Sequence, residues 1–176
     1  MKAIRITGST TISVGDIIEF KGKGPVYECL SRVIRLFERK WDRWGWHVAF
    51  VANVTDDGTV YICEALGPGV LVSELSGYSL PYRVWRWFPN ELPQSQVDTF
   101  VEDVLGKPYD VAIYGWTALQ YLVRHFFNRR IPRLLDDRYT CWELVWYFCR
   151  EMGQPLQSIY DCPIITDLHK AMGILK

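Results

Sequence analysis

The chain has 176 residues, enough for one domain with a buried core, and its 49 % hydrophobic and 23 % charged content is that of an ordinary globular protein. Its formal net charge of zero recommends neither nucleic acid nor an anionic membrane as a partner. No run of about 18 apolar residues is present to span a bilayer, and Met1-Lys2-Ala3-Ile4-Arg5 lacks the apolar core of a signal peptide. The expected location is therefore the cytoplasm, with release by host-cell lysis if a phage encodes the chain.

In chain order, Gly15-Asp16-Ile17-Ile18-Glu19-Phe20 alternates after a Gly-Asp turn and reads as a short strand. Residues 26–41 read as an amphipathic helix, with Leu30, Val33, Ile34 and Phe37 on one face and a solvated face of Arg32, Arg35, Glu38 and Arg39. Residues 46–54 and 59–63 are two strands flanking Asp56-Asp57-Gly58, whose Asp-Gly supplies the positive φ of a hairpin turn. Gly67-Pro68-Gly69 turns into Val70-Leu71-Val72, and residues 82–88 alternate basic and apolar side chains as a half-exposed strand does. After Pro93 the period becomes helical, over 94–105 and again over the strongly apolar 112–127. A basic loop, Arg129-Arg130-Ile131-Pro132-Arg133, leads to a helix beginning at Cys141, and 163–172 forms a last short helix. Strand, helix, antiparallel meander and helices together predict one α+β domain over 1–176, an antiparallel sheet packed against helices.

Five cysteines (Cys29, Cys63, Cys141, Cys149, Cys162) include no CxxC pair and no Cys/His cluster at zinc spacing, so no metal or cofactor is expected. Four of them read as buried, reduced thiols. Cys141 differs, because in Tyr139-Thr140-Cys141-Trp142-Glu143-Leu144-Val145 a polar turn gives way to an apolar run at helical spacing. That sets its thiol at a helix N-terminus, where the dipole favours a thiolate. His47 opens the strand His47-Val48-Ala49-Phe50-Val51, and Glu64 closes Val60-Tyr61-Ile62-Cys63. Folding the hairpin about Asp57-Gly58 brings His47 and Glu64 roughly opposite each other, about 5 Å apart. A slip of one residue would send Glu64 to the other face. A thiol needs a base and the imidazole needs an orienting group, so the three form a candidate triad. Each alone has a plainer reading as a satisfied or inert residue. His125 and His169 sit on amphipathic helices with no thiol partner and are assigned no chemistry.

These segments, with Tyr109-Asp110 between them, resemble one family in their order along the chain: the circularly permuted, NlpC-type papain-like cysteine peptidases and amidases, including the YiiX-like proteins. In ordinary NlpC-type enzymes the Cys helix precedes the His strand; in permuted members the His strand comes first, as it does here. The resemblance runs from about Gly15 to Tyr147 and implies a permuted papain-like fold. It implies Cys141 as nucleophile, His47 as general base and later acid, Glu64 as the orienting residue, and an oxyanion hole using the Cys141 N–H. Tyr109 matches a recurrent family position and is expected to line the site. Two departures set this chain apart. Trp142 follows the Cys where relatives carry a small polar residue, and Trp46 precedes the His where Ser or Thr is common. Both indoles are candidates for substrate contact, and Trp142 has the alternative of packing under the following loop.

The leading expectation is thus a thiol hydrolase cleaving an amide in a small peptide, cell-wall derived or similar, through a thioacyl-enzyme. A second is acyl transfer or lipid ester cleavage, since lecithin:retinol acyltransferase-like proteins share the permuted order and a similar Gly-Asp-Ile-Ile-Glu-Phe opening. Those proteins typically carry a second His in the third position, where this chain has Glu64. The third is a non-catalytic binding module on the same scaffold. Oligomeric state is not legible.

Overall fold

Gly15 turns the chain at φ 85°, a left-handed conformation that a side chain resists, and a Cβ there would come within 2.6 Å of Leu92 Cδ1. The next residue, Asp16, is 2 % exposed and takes two bonds from Arg86, Nε to Oδ1 at 2.9 Å and Nη2 to Oδ2 at 2.7 Å, plus one from the Ser13 N–H. The Gly-Asp pair thus clamps the head of one strand to the tail of another. In this computed structural model the described residues are 3–6, 11–22, 45–110, 119, 123, 126, 127, 137–156 and 165–173, with the backbone alone for 45, 46 and 165–167. The expected helix over 26–41, most of that over 112–127, the 129–133 loop, Cys29 and Cys162 lie outside them.

The six strands are β1 (Ile4–Ile6), β2 (Ile17–Lys21), β3 (Gly45–Val54), β4 (Val60–Leu66), β5 (Gly69–Glu74) and β6 (Tyr82–Arg86). They form one antiparallel sheet in the order β1-β6-β2-β3-β4-β5. The described helices are α1 (Gln94–Val104), α2 (Cys141–Glu151) and α3 (Ile165–Ala171), with a 3-10 turn over Leu75–Gly77. The architecture is α+β, and no described helix is long and apolar enough to cross a membrane. The β3–β4 turn closes as its sequence predicts, with Gly58 at φ 85° and its N–H bonded to Thr55 O.

The central strands are buried on both faces because apolar clusters lie on each. On one face Ile17, Val48, Phe50 and Ala65 pack with Val97, Phe100 and Val104 of α1 and Leu144, Val145 and Phe148 of α2. Phe50 and Phe148 stack there at 3.8 Å between centroids and 4° between planes. On the other face Ile18, Phe20, Ala49, Val51, Ile62, Val84 and Leu75 form a second cluster. A fully buried side chain of this size contributes about 1.5–3 kcal/mol, so the sheet is held from both sides and makes a rigid base for the residues it carries.

Candidate active site

Thr140 is extended (φ −86°, ψ 167°) and caps α2. Its hydroxyl accepts from Glu143 N at 3.3 Å, and the Glu143 carboxylate accepts in return from Thr140 N at 3.0 Å and Thr140 Oγ1 at 2.8 Å. This reciprocal box, buried throughout, fixes the first turn of the helix. The first bond along the backbone runs from Leu144 N to Thr140 O at 3.0 Å. Helix geometry therefore leaves the Cys141 N–H with no acceptor inside its own helix, beside its own thiol. The segment entering the cap is held as well. Tyr139 bridges Tyr109 in parallel, with Tyr139 N to Pro108 O at 3.1 Å and Asp110 N to Tyr139 O at 3.2 Å.

His47 and Glu64 meet across the hairpin, Nε2 to Oε2 at 2.7 Å. They are not directly opposite, as the turn alone suggested. The register Phe50↔Cys63, carried on, sets Ala49 against Glu64 and leaves His47 diagonal to it on the same pleat face. A bulge between Val51 and Asn53 absorbs the difference and keeps Glu64 on the side of His47. With Nε2 on the carboxylate, Nδ1 is the ring nitrogen left for the second partner of His47, the Cys141 thiol. Phe20 stacks on the imidazole at 5.5 Å between centroids.

Glu64 is fully buried, and its carboxylate is shared. Oε1 accepts from the Tyr78 hydroxyl, and the Ser73 side chain is a further hydrogen-bond partner. Burial alone would raise this carboxyl, but the bonds to His47, Ser73 and Tyr78 and the His47 charge outweigh it and hold it below its usual range. Burial likewise opposes a charged imidazole. The hydrogen bond to Cys141, the one to Glu64 and the negative charges of both overcome that and push His47 up to about 9. Tyr78 is pushed upward by burial and by Glu64, so its phenol keeps the proton it donates.

The other described cysteines behave differently. Cys63 is buried beside Glu64, and burial with that charge pushes it up to about 12; burial alone raises Cys149. Both are free thiols that hold their protons, and neither has a described basic partner among its causes of shift.

Cys141, His47 and Glu64 are thus brought together. Tyr109 is half-buried against the main core and joined by backbone to the segment entering α2. Trp142 is 8 % exposed within that core, so nearly all of its indole contacts protein. The backbone of Trp46 lies in β3, while its side chain falls outside the described residues. Tyr78 and Ser73 were missed by sequence reasoning. Ser73 had a readable signal, since it lies opposite Ile62 on β5 and so shares the Glu64 face. Tyr78 comes from a 3-10 turn that no period announces. No protein-family model matches the chain, and no curated protein does.

Proposed function

We propose that the chain is a thiol hydrolase on a permuted papain-like scaffold, cleaving an amide bond in a small peptide substrate. One observation carries this reading: a single imidazole lies between the Cys141 sulfur and the buried Glu64 carboxylate. In the proposed reaction the proton of the couple already rests on His47, in line with its raised pKa, and the Cys141 sulfur attacks the carbonyl carbon as a thiolate. The Cys141 N–H donates to the oxygen that becomes negative. Collapse expels the amine, which leaves with the proton held by His47, and a thioester to Cys141 remains. His47 then takes a proton from water and keeps it, the hydroxide adds to the thioester, and the acid departs as the thiolate is regained. Glu64 fixes the ring by accepting from Nε2 throughout and stabilises the imidazolium. No metal enters this scheme.

The experiment is intact-mass spectrometry after mixing with cell-wall-type peptides and, separately, with acyl phospholipids. The reading expects a peptide acyl adduct on Cys141 and loss of both adduct and hydrolysis in Cys141→Ala, with the fold intact. A fatty-acyl adduct would replace it by the acyltransferase reading. Undiminished turnover by Cys141→Ala would end both.

A further inference from the structure

The Gly15-Asp16-Ile17-Ile18-Glu19-Phe20 segment is only partly accounted for by the sheet. Gly15 and Asp16 clamp the head of β2, and Ile17 and Ile18 fill the two faces. The last residue is placed differently. Phe20 pairs directly with His47 across β2 and β3, and directly with Tyr82 across β2 and β6. It is fully buried, and among the described buried side chains of its cluster it carries the only ring, the others being aliphatic. Burial alone does not call for a ring at that position.

What a ring supplies there follows from the imidazole itself. The second side-chain torsion of a histidine is broad, so rotamer preference does not set the plane of its ring. Glu64, bonded at 2.7 Å, and Cys141 hold the ring by its edge. Hydrogen bonds weaken steeply only below about 120°, so these two leave the ring room to tilt. A side chain against its face removes that freedom. Phe20 lies there, 5.5 Å from the imidazole between centroids and 28° from parallel. It is braced in turn by Tyr78 at 4.7 Å and Tyr82 at 6.1 Å between centroids. Tyr78 also donates to Glu64, so His47, Glu64, Tyr78 and Phe20 close a circuit of two hydrogen bonds and two ring contacts. The face of a benzene ring is electron-rich and attracts a cation within about 6 Å, more strongly where water is excluded.

We propose that Phe20 is a positioning residue of the site, its ring holding the His47 imidazole in the plane that reaches both Cys141 and Glu64 and offering an electron-rich face to the imidazolium. This rests on the hydrolase reading, in which an imidazolium accompanies the thiolate.

The test is iodoacetamide labelling of Cys141 across pH in the full chain, read by mass spectrometry for wild type, Phe20→Leu and Phe50→Leu. Phe50 is as fully buried as Phe20 but stacks on Phe148 on the other face of the sheet, so Phe50→Leu removes a core ring without touching the imidazole. Among the described residues the titratable groups that act on His47 are Cys141 and Glu64, and neither substitution alters them. Phe20→Leu is expected to slow labelling below pH 7 by between about twofold and thirtyfold, the range for a cation against a ring. The loss should close above the ordinary thiol range near 9.0, where the sulfur ionises without help from the imidazole. Phe50→Leu should lower the urea midpoint and leave labelling at the wild-type rate. If Phe20→Leu does not fold, Phe20→Met, which fills the gap without a ring, takes its place. Wild-type labelling by the folded Phe20 variant overturns the proposal. So does an equal slowing in Phe50→Leu, since core packing would then be the cause. A wild-type Cys141 no faster below pH 7 than Cys63 and Cys149 is the separate failure of the hydrolase reading, and takes this proposal with it.

Discussion

At the scale of single residues, the decisive feature is how the Glu64 carboxylate is divided. One oxygen holds His47 at 2.7 Å and the other takes the Tyr78 hydroxyl, so the group that orients the imidazole is itself oriented. Tyr78 is in ring contact with Phe20, at 4.7 Å between centroids, and Phe20 in turn stacks on His47. Removing only the Tyr78 hydroxyl, as in Tyr78→Phe, should lower kcat about tenfold or more with little change in KM. A hydrogen bond to a charged group contributes about 1.5–3 kcal/mol, and this one acts on positioning rather than on substrate. Glu64→Gln should cost more than Tyr78→Phe and less than His47→Ala, because an amide still accepts from Nε2 but no longer offsets the imidazolium charge. Steady-state kinetics on the three variants checks the order, and a Glu64→Gln loss as large as that of His47→Ala would contradict it. The meeting of His47, Glu64 and Cys141 was legible because each sits where a turn or a change of period marks it. Tyr78 was not, since its place depends on a three-residue 3-10 turn with no side-chain cap.

At the scale of elements, the hairpin and α2 follow from local chemistry: Asp57-Gly58 for the turn, and Thr140 with Glu143 for the capping box. What local pattern did not disclose is pairing at long range. β6 lies between β1 and β2, so Ile17 faces Trp85 and Ile4 faces Arg86 across most of the chain's first half. β1 itself is three residues long, too short for an alternation to register. The same long-range pairing gives His169, assigned no chemistry from the sequence, a structural place. On α3, His169 is 1 % exposed, and its Nε2 approaches Oε1 of the equally buried Glu19 to 2.8 Å, without the alignment of a good hydrogen bond. The other Glu19 oxygen accepts from Trp85 Nε1 at 2.9 Å. This contact ties the last described helix to the centre of the sheet. His169→Ala leaves a buried carboxylate without its partner and should destabilise the fold by about 3 kcal/mol or more. Urea unfolding measures that. Labelling of Cys141 in the folded variant should stay at the wild-type rate, and a loss of labelling with no loss of stability would show that His169 acts on the site instead.

At the scale of the whole molecule, the raised His47 makes stability depend on pH. The folded protein holds the His47 proton up to about 9, whereas an unfolded histidine releases it near 6.5. Its contribution is therefore complete below about 6.5 and is lost as pH climbs through about 9. Cys63 and Cys149, held protonated by burial, weaken the fold only from the ordinary thiol range near 9.0 upward. Glu64 has the opposite sign, stabilising above the carboxylate range and failing as pH falls below it. Urea midpoints should thus decline from about pH 6.5 to about pH 9, and the part of the decline below 9 should vanish in His47→Ala; an unchanged slope would contradict the assignment.

The central claim is that Cys141 and His47 work as a couple, and alkylation reads it directly. The measurement is the pH dependence of iodoacetamide labelling, followed cysteine by cysteine by mass spectrometry, in wild type and His47→Ala. The account predicts that Cys141 labels rapidly below pH 7 ahead of Cys63 and Cys149, and that His47→Ala removes this lead. Slow labelling of Cys141, or a rate indifferent to His47, would contradict it.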